Sequence, residues 1–267
     1  MSDGLLLDAM IAAALEAGRA ANRIYHGTFE VQTKADDSPV TTADHVAEEI
    51  ILRHLQLQAP GTVVVAEEQV AAGRVPQVAE EFFLVDPLDG TKEFVHKRGD
   101  FTVNIALIRQ GSPVLGVVYA PATGQLFAAN VAAGQALRAT LDAEHPVLTT
   151  LTPMRVRAVP AVGVTAVASR SHRTAETDAY LARYPIAQLV SVGSSLKFCM
   201  VAVGEADLYP RLGTTMEWDT AAGHAVLVAA GGRVVDPELR PLRYGKPQFR
   251  NPWFIASGAL VPQAVAA

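Results

Sequence analysis

Asp86 and Asp89 stand three residues apart in the run Leu84-Val85-Asp86-Pro87-Leu88-Asp89-Gly90-Thr91-Lys92-Glu93-Phe94. Two carboxylates, a hydroxyl and a glycine at the end of an apolar, strand-like stretch outline a site for a divalent cation and a phosphate. Carboxylate oxygens are the ligands that hard cations such as Mg²⁺ select. The two carboxylates can face one point only if the strand ends there and the chain bends, and Pro87 predicts that bend. Gly90-Thr91 then opens a short helix through Phe94, whose first backbone N–H groups would face an anion. Taken alone, the string also reads as an ordinary turn, because Asp, Pro and Gly are each favoured in turns for backbone reasons.

Other acidic residues are candidates to complete a metal shell: Asp44, Glu67, Glu68 and Asp219. Asp219 precedes the small residues Thr220-Ala221-Ala222-Gly223, which open a helix, so its carboxylate reads as a helix cap, with or without a metal in front of it. Glu67-Glu68 follow Val63-Val64-Val65 and read either as a solvated strand end or as ligands. Asp44, Glu48 and Glu49 fall early in a helix expected from about Thr41 to Gln58, where the helix dipole favours negative charge. The single cysteine, Cys199, lies in an apolar context and reads as a buried structural thiol rather than a nucleophile.

The elements that must carry these side chains follow from periodicity. Residues 5–25 place Leu5, Leu6, Met10, Ile11, Leu15 and Ile24 among alanines, the pattern of an amphipathic helix. Thr33 to Pro39 is polar and predicts a mobile loop. Alternation in Phe101–Ile108 and Val114–Tyr119 predicts antiparallel strands joined through Gln110-Gly111-Ser112-Pro113, and a second hairpin is expected around Gly134. Beyond a weakly patterned stretch from Asp142 to Pro160, strands at Val164–Ala168 and Ala187–Val192 alternate with helices at Ala175–Arg183 and Ser195–Val203, an α/β order. The expected division is 1–152 for an α+β subdomain with a largely antiparallel sheet and most metal ligands, and 153–267 for an α/β subdomain with Asp219 and a specificity rim.

Composition narrows the function. The chain has 267 residues, half of them hydrophobic, 18% charged, with a formal net charge of −5. It is long enough for two subdomains sharing a core. The acidic balance and the lack of a dense Lys/Arg run argue against binding a nucleic-acid polymer. No apolar run reaches the roughly 18 residues of a membrane span. Met1-Ser2-Asp3-Gly4 lacks the basic start of a secretory signal, so the cytoplasm is the expected location. Peripheral attachment to the inner membrane stays open, as does the oligomeric state.

Four blocks in order resemble the inositol-monophosphatase superfamily of metal-dependent phosphatases: Ser38-Pro39-Val40-Thr41-Thr42-Ala43-Asp44, Ala66-Glu67-Glu68, Asp86-Pro87-Leu88-Asp89-Gly90-Thr91 and Trp218-Asp219-Thr220-Ala221-Ala222-Gly223. Within it the chain looks most like the 3′(2′),5′-bisphosphate nucleotidases of the CysQ type, over about Ile11 to Asn251. Thr91-Lys92-Glu93-Phe94, Ser169-Arg170-Ser171-His172 and Gly193-Ser194-Ser195-Leu196-Lys197-Phe198-Cys199 carry that closer likeness. Ala66 departs from the Ser common before the Glu-Glu pair, and residues 69–79 diverge, as do His96 and Lys97.

The resemblance implies a layered α-β-α-β-α sandwich of the inositol monophosphatase and fructose-1,6-bisphosphatase type, in two subdomains. It implies two or three Mg²⁺ ions, one held by Glu67, Asp86 and the carbonyl of Leu88 and a second by Asp86, Asp89 and Asp219. Two ions roughly 3.5–4 Å apart suit in-line attack on phosphorus. Thr91, oriented by Asp44, is the implied base for the attacking water, and the N–H groups of Gly90 and Thr91 the implied phosphate cradle. His172, Ser194, Lys197 and Arg211 form the implied rim for the phosphate that is not cleaved. The expected reaction is hydrolysis of the 3′-phosphate of adenosine 3′,5′-bisphosphate (PAP) to AMP. Action on the sulfated form, PAPS, and inhibition by Li⁺ are open. The alternatives are an inositol or sugar monophosphate phosphatase and, from another class, a non-catalytic nucleotide sensor. Joint retention of Asp44, Glu67, Asp86, Asp89, Thr91 and Asp219 argues against a sensor.

Overall fold

Helix α1 (Asp3–His26) starts where the Ser2 hydroxyl accepts from the Leu5 N–H and buries a stripe including Leu7, Met10, Ile11, Ala14 and Ala17. The structure, a computed structural model, describes residues 1–33 and 39–265. Of the polar segment Thr33–Pro39 expected as a mobile loop, residues 34–38, Ser38 of the first block included, lie outside the described residues, while Thr33 and Pro39 belong to strands. Strands β1 (Val31–Thr33) and β2 (Pro39–Thr41) form a small antiparallel ribbon on either side of it. Helix α2 (Thr42–Gln58) follows, packed along α1.

A seven-stranded sheet comes next: β3 (Val63–Ala66), β4 (Glu81–Asp89), β5 (Thr102–Arg109), β6 (Ser112–Ala120), β7 (Gln125–Asn130), β8 (Gln135–Thr140) and β9 (Thr152–Pro153), in spatial order of sequence. Only the β3–β4 pair is parallel. Two short helices interrupt the run, α3 (Glu67–Ala71) and α4 (Thr91–Val95). The second sheet contains β10 (Val164–Ser169), β11 (Ile186–Val192), β12 (Leu208–Arg211), β13 (Arg233–Val235) and β14 (Phe254–Ser257) in the order β11-β10-β12-β14-β13. Its helices are α5 (Ala175–Leu181), α6 (Leu196–Ala202) and α7 (Ala221–Ala229).

These parts stack in five layers: α1 and α2, the larger sheet, α6 and α7, the smaller sheet, and α5. Composition explains the order. The face of α1 that meets the sheet is apolar while its other face is polar, as an outer helix requires. Helix α7 reads Ala-Ala-Gly-His-Ala-Val-Leu-Val-Ala, with residues 221–227 all buried, as a helix between two sheets must be. One hydrophobic cluster joins Ala106 and Val118 of the larger sheet, Phe198 of α6, Val226 of α7, and Tyr209 and Phe254 of the smaller sheet. The expected layered α-β-α-β-α sandwich is therefore the observed fold.

Two local expectations are corrected. Strand β4 does not end at Pro87: Asp86 pairs with Asn104 and Asp89 with Thr102, so three steps on β4 oppose two on β5. The bend is a β-bulge, which tolerates a residue that cannot donate to the ladder. Glu67-Glu68 is not a solvated strand end, because α3 begins at Glu67 and Glu68 is buried, its N–H donating to Glu48 Oε2 at 2.8 Å.

Candidate active site

The bulge in β4 is the first piece of the site. It leaves Asp86 buried, with the Leu88 N–H donating to Asp86 Oδ1 at 3.0 Å, and delivers Asp89 to the strand's end. Gly90 then turns the chain at φ 93° and ψ 42°, a conformation that penalises a Cβ. Thr91 follows at the start of α4, and its hydroxyl lies 3.3 Å from both Asp44 Oδ1 and the Leu88 carbonyl.

Asp44 reaches this point because α2 is capped by a box. Thr41 Oγ1 accepts from the Ala43 N–H, and Asp44 Oδ2 accepts from the Thr41 N–H at 2.8 Å. The cap expected for Asp44 is thus present, and its other oxygen, Oδ1, faces the Thr91 hydroxyl. Asp219 differs: Thr220 caps α7 without a side-chain bond, while Asp219 Oδ2 accepts from the Met216 N–H at 2.8 Å. Its carboxylate steadies the turn before the helix rather than capping the helix itself.

A cavity of about 470 Å³ gathers these pieces, within the usual range for small-molecule sites. Glu67, Asp86, Leu88, Asp89, Gly90, Thr91 and Asp219 line it, and so do His172, Ser194, Lys197 and Arg211. Asp44 is the one expected site residue behind the wall, touching the cavity through Thr91.

The electrostatics are those of crowded acids. Burial, opposed by Lys197 and reinforced by Glu67, pushes Asp89 up to about 6. Burial and the neighbouring Asp89 and Glu67 push Asp219 well above the ordinary carboxylate range. Behind them, burial pushes Glu48 up to about 7. Lys197, 4% exposed, is drawn down to about 8 by burial while Asp89 holds it up. Its Nζ donates to the carbonyls of Val192 and Ser194. Arg211 is also buried, with Nη1 donating to the His172 carbonyl at 3.4 Å and Nη2 to the Thr214 carbonyl at 3.0 Å, while its buried Nε has no partner. His172 sits at the rim, where desolvation of its ring and the charges of Arg211 and Lys92 hold it down to about 4, so it is neutral at ordinary pH.

Among the described residues, no three His, Cys, Asp or Glu side chains form a ready metal cage. The donor set nevertheless fits Mg²⁺ in chemistry: carboxylates and a main-chain carbonyl on one cavity, all hard oxygen ligands, with burial and Asp89 disfavouring the charge of Asp219 in a way a dication relieves.

Sequence reasoning missed the residues that tie the two sheets together around the cavity. Ser195 Oγ donates to Asn104 Oδ1 at 2.6 Å and lies 2.9 Å from Thr102 Oγ1. Asp100 accepts from the Gly193 N–H, and Glu217, fully buried, accepts from the N–H groups of Gly245 and Lys246. Glu217 carries a detectable signal, an acid inside an otherwise apolar-and-small motif. Asp100 carries none, since its partners lie 70 and 93 positions away. Cys199 is buried and burial raises its thiol pKa, as expected of a structural residue.

The profile of the Inositol monophosphatase family matches residues 5–259. The chain belongs to the inositol monophosphatase family. Among curated relatives of this family member, the 3′(2′),5′-bisphosphate nucleotidase CysQ of Shigella flexneri is 46% identical, covering 94% of this chain and 99% of that protein. The same-named protein of Escherichia coli K12 is 45% identical over the same shares. Among solved structures, CysQ from Bacteroides thetaiotaomicron superposes with a TM-score of 0.79 at 38% identity, covering 96% of this chain and 97% of that one. An inositol monophosphatase from Anabaena gives a TM-score of 0.73 at 25% identity, covering 96% and 92%. Among the described residues of this inositol monophosphatase family chain, no helix is long and apolar enough to cross a membrane.

Proposed function

We propose that this chain is a Mg²⁺-dependent phosphatase that removes the 3′-phosphate of adenosine 3′,5′-bisphosphate, giving AMP and phosphate. The observation that carries this reading is the buried cationic pair. Lys197 and Arg211 share one cavity with five carboxylates, Glu67, Asp86, Asp89, Glu93 and Asp219, and Arg211 Nε is buried without a partner. A buried donor left unpaired is costly, so its natural complement is an anionic ligand. The acids would hold metal beside the phosphate being cleaved; a phosphate that stays needs cations of the protein's own. The relatives named 3′(2′),5′-bisphosphate nucleotidase support the same substrate class.

Glu67, Asp86, Asp89, Asp219 and the Leu88 carbonyl would hold two or three Mg²⁺ ions. When bound, the metal lowers the pKa of water and neutralises phosphoryl oxygen charge. The Thr91 hydroxyl orients the nucleophile: a lone pair accepts from the water while its own proton points to Asp44 Oδ1. Gly90 and Thr91 place their backbone on the same cavity and contribute N–H donors to the scissile phosphate. His172 stays neutral, and with Ser194 supplies hydrogen bonds rather than charge to the retained phosphate. PAPS is a further substrate to assay, and Li⁺ an inhibitor to assay.

Incubation with adenosine 3′,5′-bisphosphate and Mg²⁺ should release phosphate and 5′-AMP, and EDTA or Asp89→Ala should stop it. Release of 3′-AMP instead would place cleavage at the other phosphate and contradict the reading.

A further inference from the structure

Two acidic side chains from the first half of the chain reach the loops that carry the cationic rim, and neither has a part in the chemistry proposed above. Asp100, just before β5, accepts from Arg170 Nη1 at 3.0 Å and 2.7 Å and from the Gly193 N–H at 2.8 Å. Glu93, on α4 and 4% exposed, accepts from the Ser171 hydroxyl at 2.7 Å. Glu93 also packs directly on the rim loop. A Cβ added at Gly193 would stand 2.6 Å from Glu93 Cγ and 2.9 Å from the Asp100 carbonyl oxygen, closer than real contacts allow.

These ties fix the backbone from which both cations hang. Arg170 passes the hold of Asp100 onward by donating to the Ser191 carbonyl at 3.0 Å. Ser194 adopts φ 49°, an uncommon conformation for a residue with a side chain, which its surroundings must enforce. Lys197 Nζ donates to the carbonyls of Val192 and Ser194, so a shift of that turn moves the ammonium. Arg211 leans on the His172 carbonyl, one residue beyond the Ser171 that Glu93 holds.

The geometry points to Asp100 and Glu93 as positioning residues that set affinity for the uncleaved phosphate, by fixing segment 170–172 and turn 193–195 against the catalytic turn. This rests on the bisphosphate reading given under the proposed function. Their negative charge would by itself disfavour a polyanion nearby. Pairing with Arg170 and hydrogen bonding to Ser171 and the Gly193 N–H offset that cost, and what remains is rigidity, which raises affinity by cutting the ordering cost of binding.

The test compares adenosine 3′,5′-bisphosphate with adenosine 3′-monophosphate, which lacks the phosphate the rim would hold, in full-length wild type, Asp100→Ala, Asp100→Asn and Ser171→Ala. Asp100→Ala should raise KM for the bisphosphate about tenfold or more, with kcat within about twofold and kcat/KM for the monophosphate unchanged. Amide hydrogen exchange at 193–197 should quicken in the same variant. Asp100→Asn, which keeps an acceptor for the Gly193 N–H, should recover most of the affinity. Ser171→Ala, on an exposed loop, should give a smaller rise in the same KM and serves if Asp100→Ala does not fold. Equal losses on both substrates, or an unchanged bisphosphate KM in Asp100→Ala and Ser171→Ala, would overturn the positioning role. A wild-type enzyme that prefers neither substrate would instead overturn the bisphosphate reading, and the specificity role with it.

Discussion

The Thr91 hydroxyl lies 3.3 Å from Asp44 Oδ1, while Asp44 Oδ2 accepts from the N–H and the hydroxyl of Thr41, each at 2.8 Å. One buried carboxylate therefore ends a helix with one oxygen and orients a hydroxyl with the other. The two jobs separate by mutation. Thr91→Ala should lower kcat about 10²- to 10³-fold, the scale of general acid–base assistance, with KM and thermal midpoint nearly unchanged. Asp44→Ala should lose as much rate and also about 1 kcal/mol of stability with the cap. Steady-state kinetics beside thermal denaturation checks both, and Thr91→Ser should restore most of the rate.

Crowding of Asp89 and Asp219 makes a second prediction. Burial and the neighbouring Asp89 push Asp219 well above the ordinary carboxylate range, and burial with Glu67 pushes Asp89 up to about 6, so ionising these acids without metal costs stability. Asp219→Asn keeps the acceptor for the Met216 N–H and should unfold at a higher temperature than wild type in EDTA. Wild type should gain about 2.7 kcal/mol at Mg²⁺ one hundred times its Kd; the variant should gain far less. Differential scanning fluorimetry over a Mg²⁺ series reads both.

A third prediction concerns Glu217. It is fully buried, bonds the N–H groups of Gly245 and Lys246 at 2.8 and 2.9 Å, and meets Lys246 Nζ at 2.6 Å. Glu217→Ala should cost about 1–3 kcal/mol, because it leaves two part-buried N–H donors without their acceptor. Urea denaturation measures it.

Acid stability supplies a fourth. Burial holds His224 neutral, its pKa down at about 3, with Nδ1 2.9 Å from the Tyr244 hydroxyl. The unfolded chain binds a proton near pH 6.5 that the folded protein refuses. Stability from this group is therefore complete above about pH 6.5 and declines as pH falls toward 3, by up to about 1.4 kcal/mol per pH unit. A His224→Gln variant should lose stability at pH 7 yet show a shallower decline between pH 6 and 4 in the same urea series.

Much of this architecture is legible in the sequence, because local periodicity writes it. Helices α1 and α2 follow from a 3.6-residue apolar stripe and the Thr41–Asp44 cap, and β5 to β8 from alternation between turn residues. What is not legible is decided by partners distant in the chain. Pro87 reads as a strand end, but the ladder resumes at Asp89 because Thr102 is there to pair with it. Asp219 reads as a cap, but the Met216 N–H claims its oxygen. Lys197 is placed on the rim only by the family resemblance, and the neighbouring Asp89 shows why an ammonium can be buried there. Most residues of the family-like motifs line one cavity, with Asp44 behind it; Asp100 belongs to no local pattern, and Glu93 stands in the Thr91–Phe94 motif but finds its partner Ser171 only in the folded chain.

Recognition of the retained phosphate by Lys197 and Arg211 shows in one ratio. It is kcat/KM for adenosine 3′,5′-bisphosphate over kcat/KM for inositol 1-phosphate, measured with Mg²⁺ on one preparation of wild type and of Lys197→Ala. The ratio should exceed about ten in wild type and fall at least tenfold in Lys197→Ala, the order expected when one charged hydrogen-bond partner is removed. Faster turnover of inositol 1-phosphate by wild type, or a ratio untouched by Lys197→Ala, would contradict it.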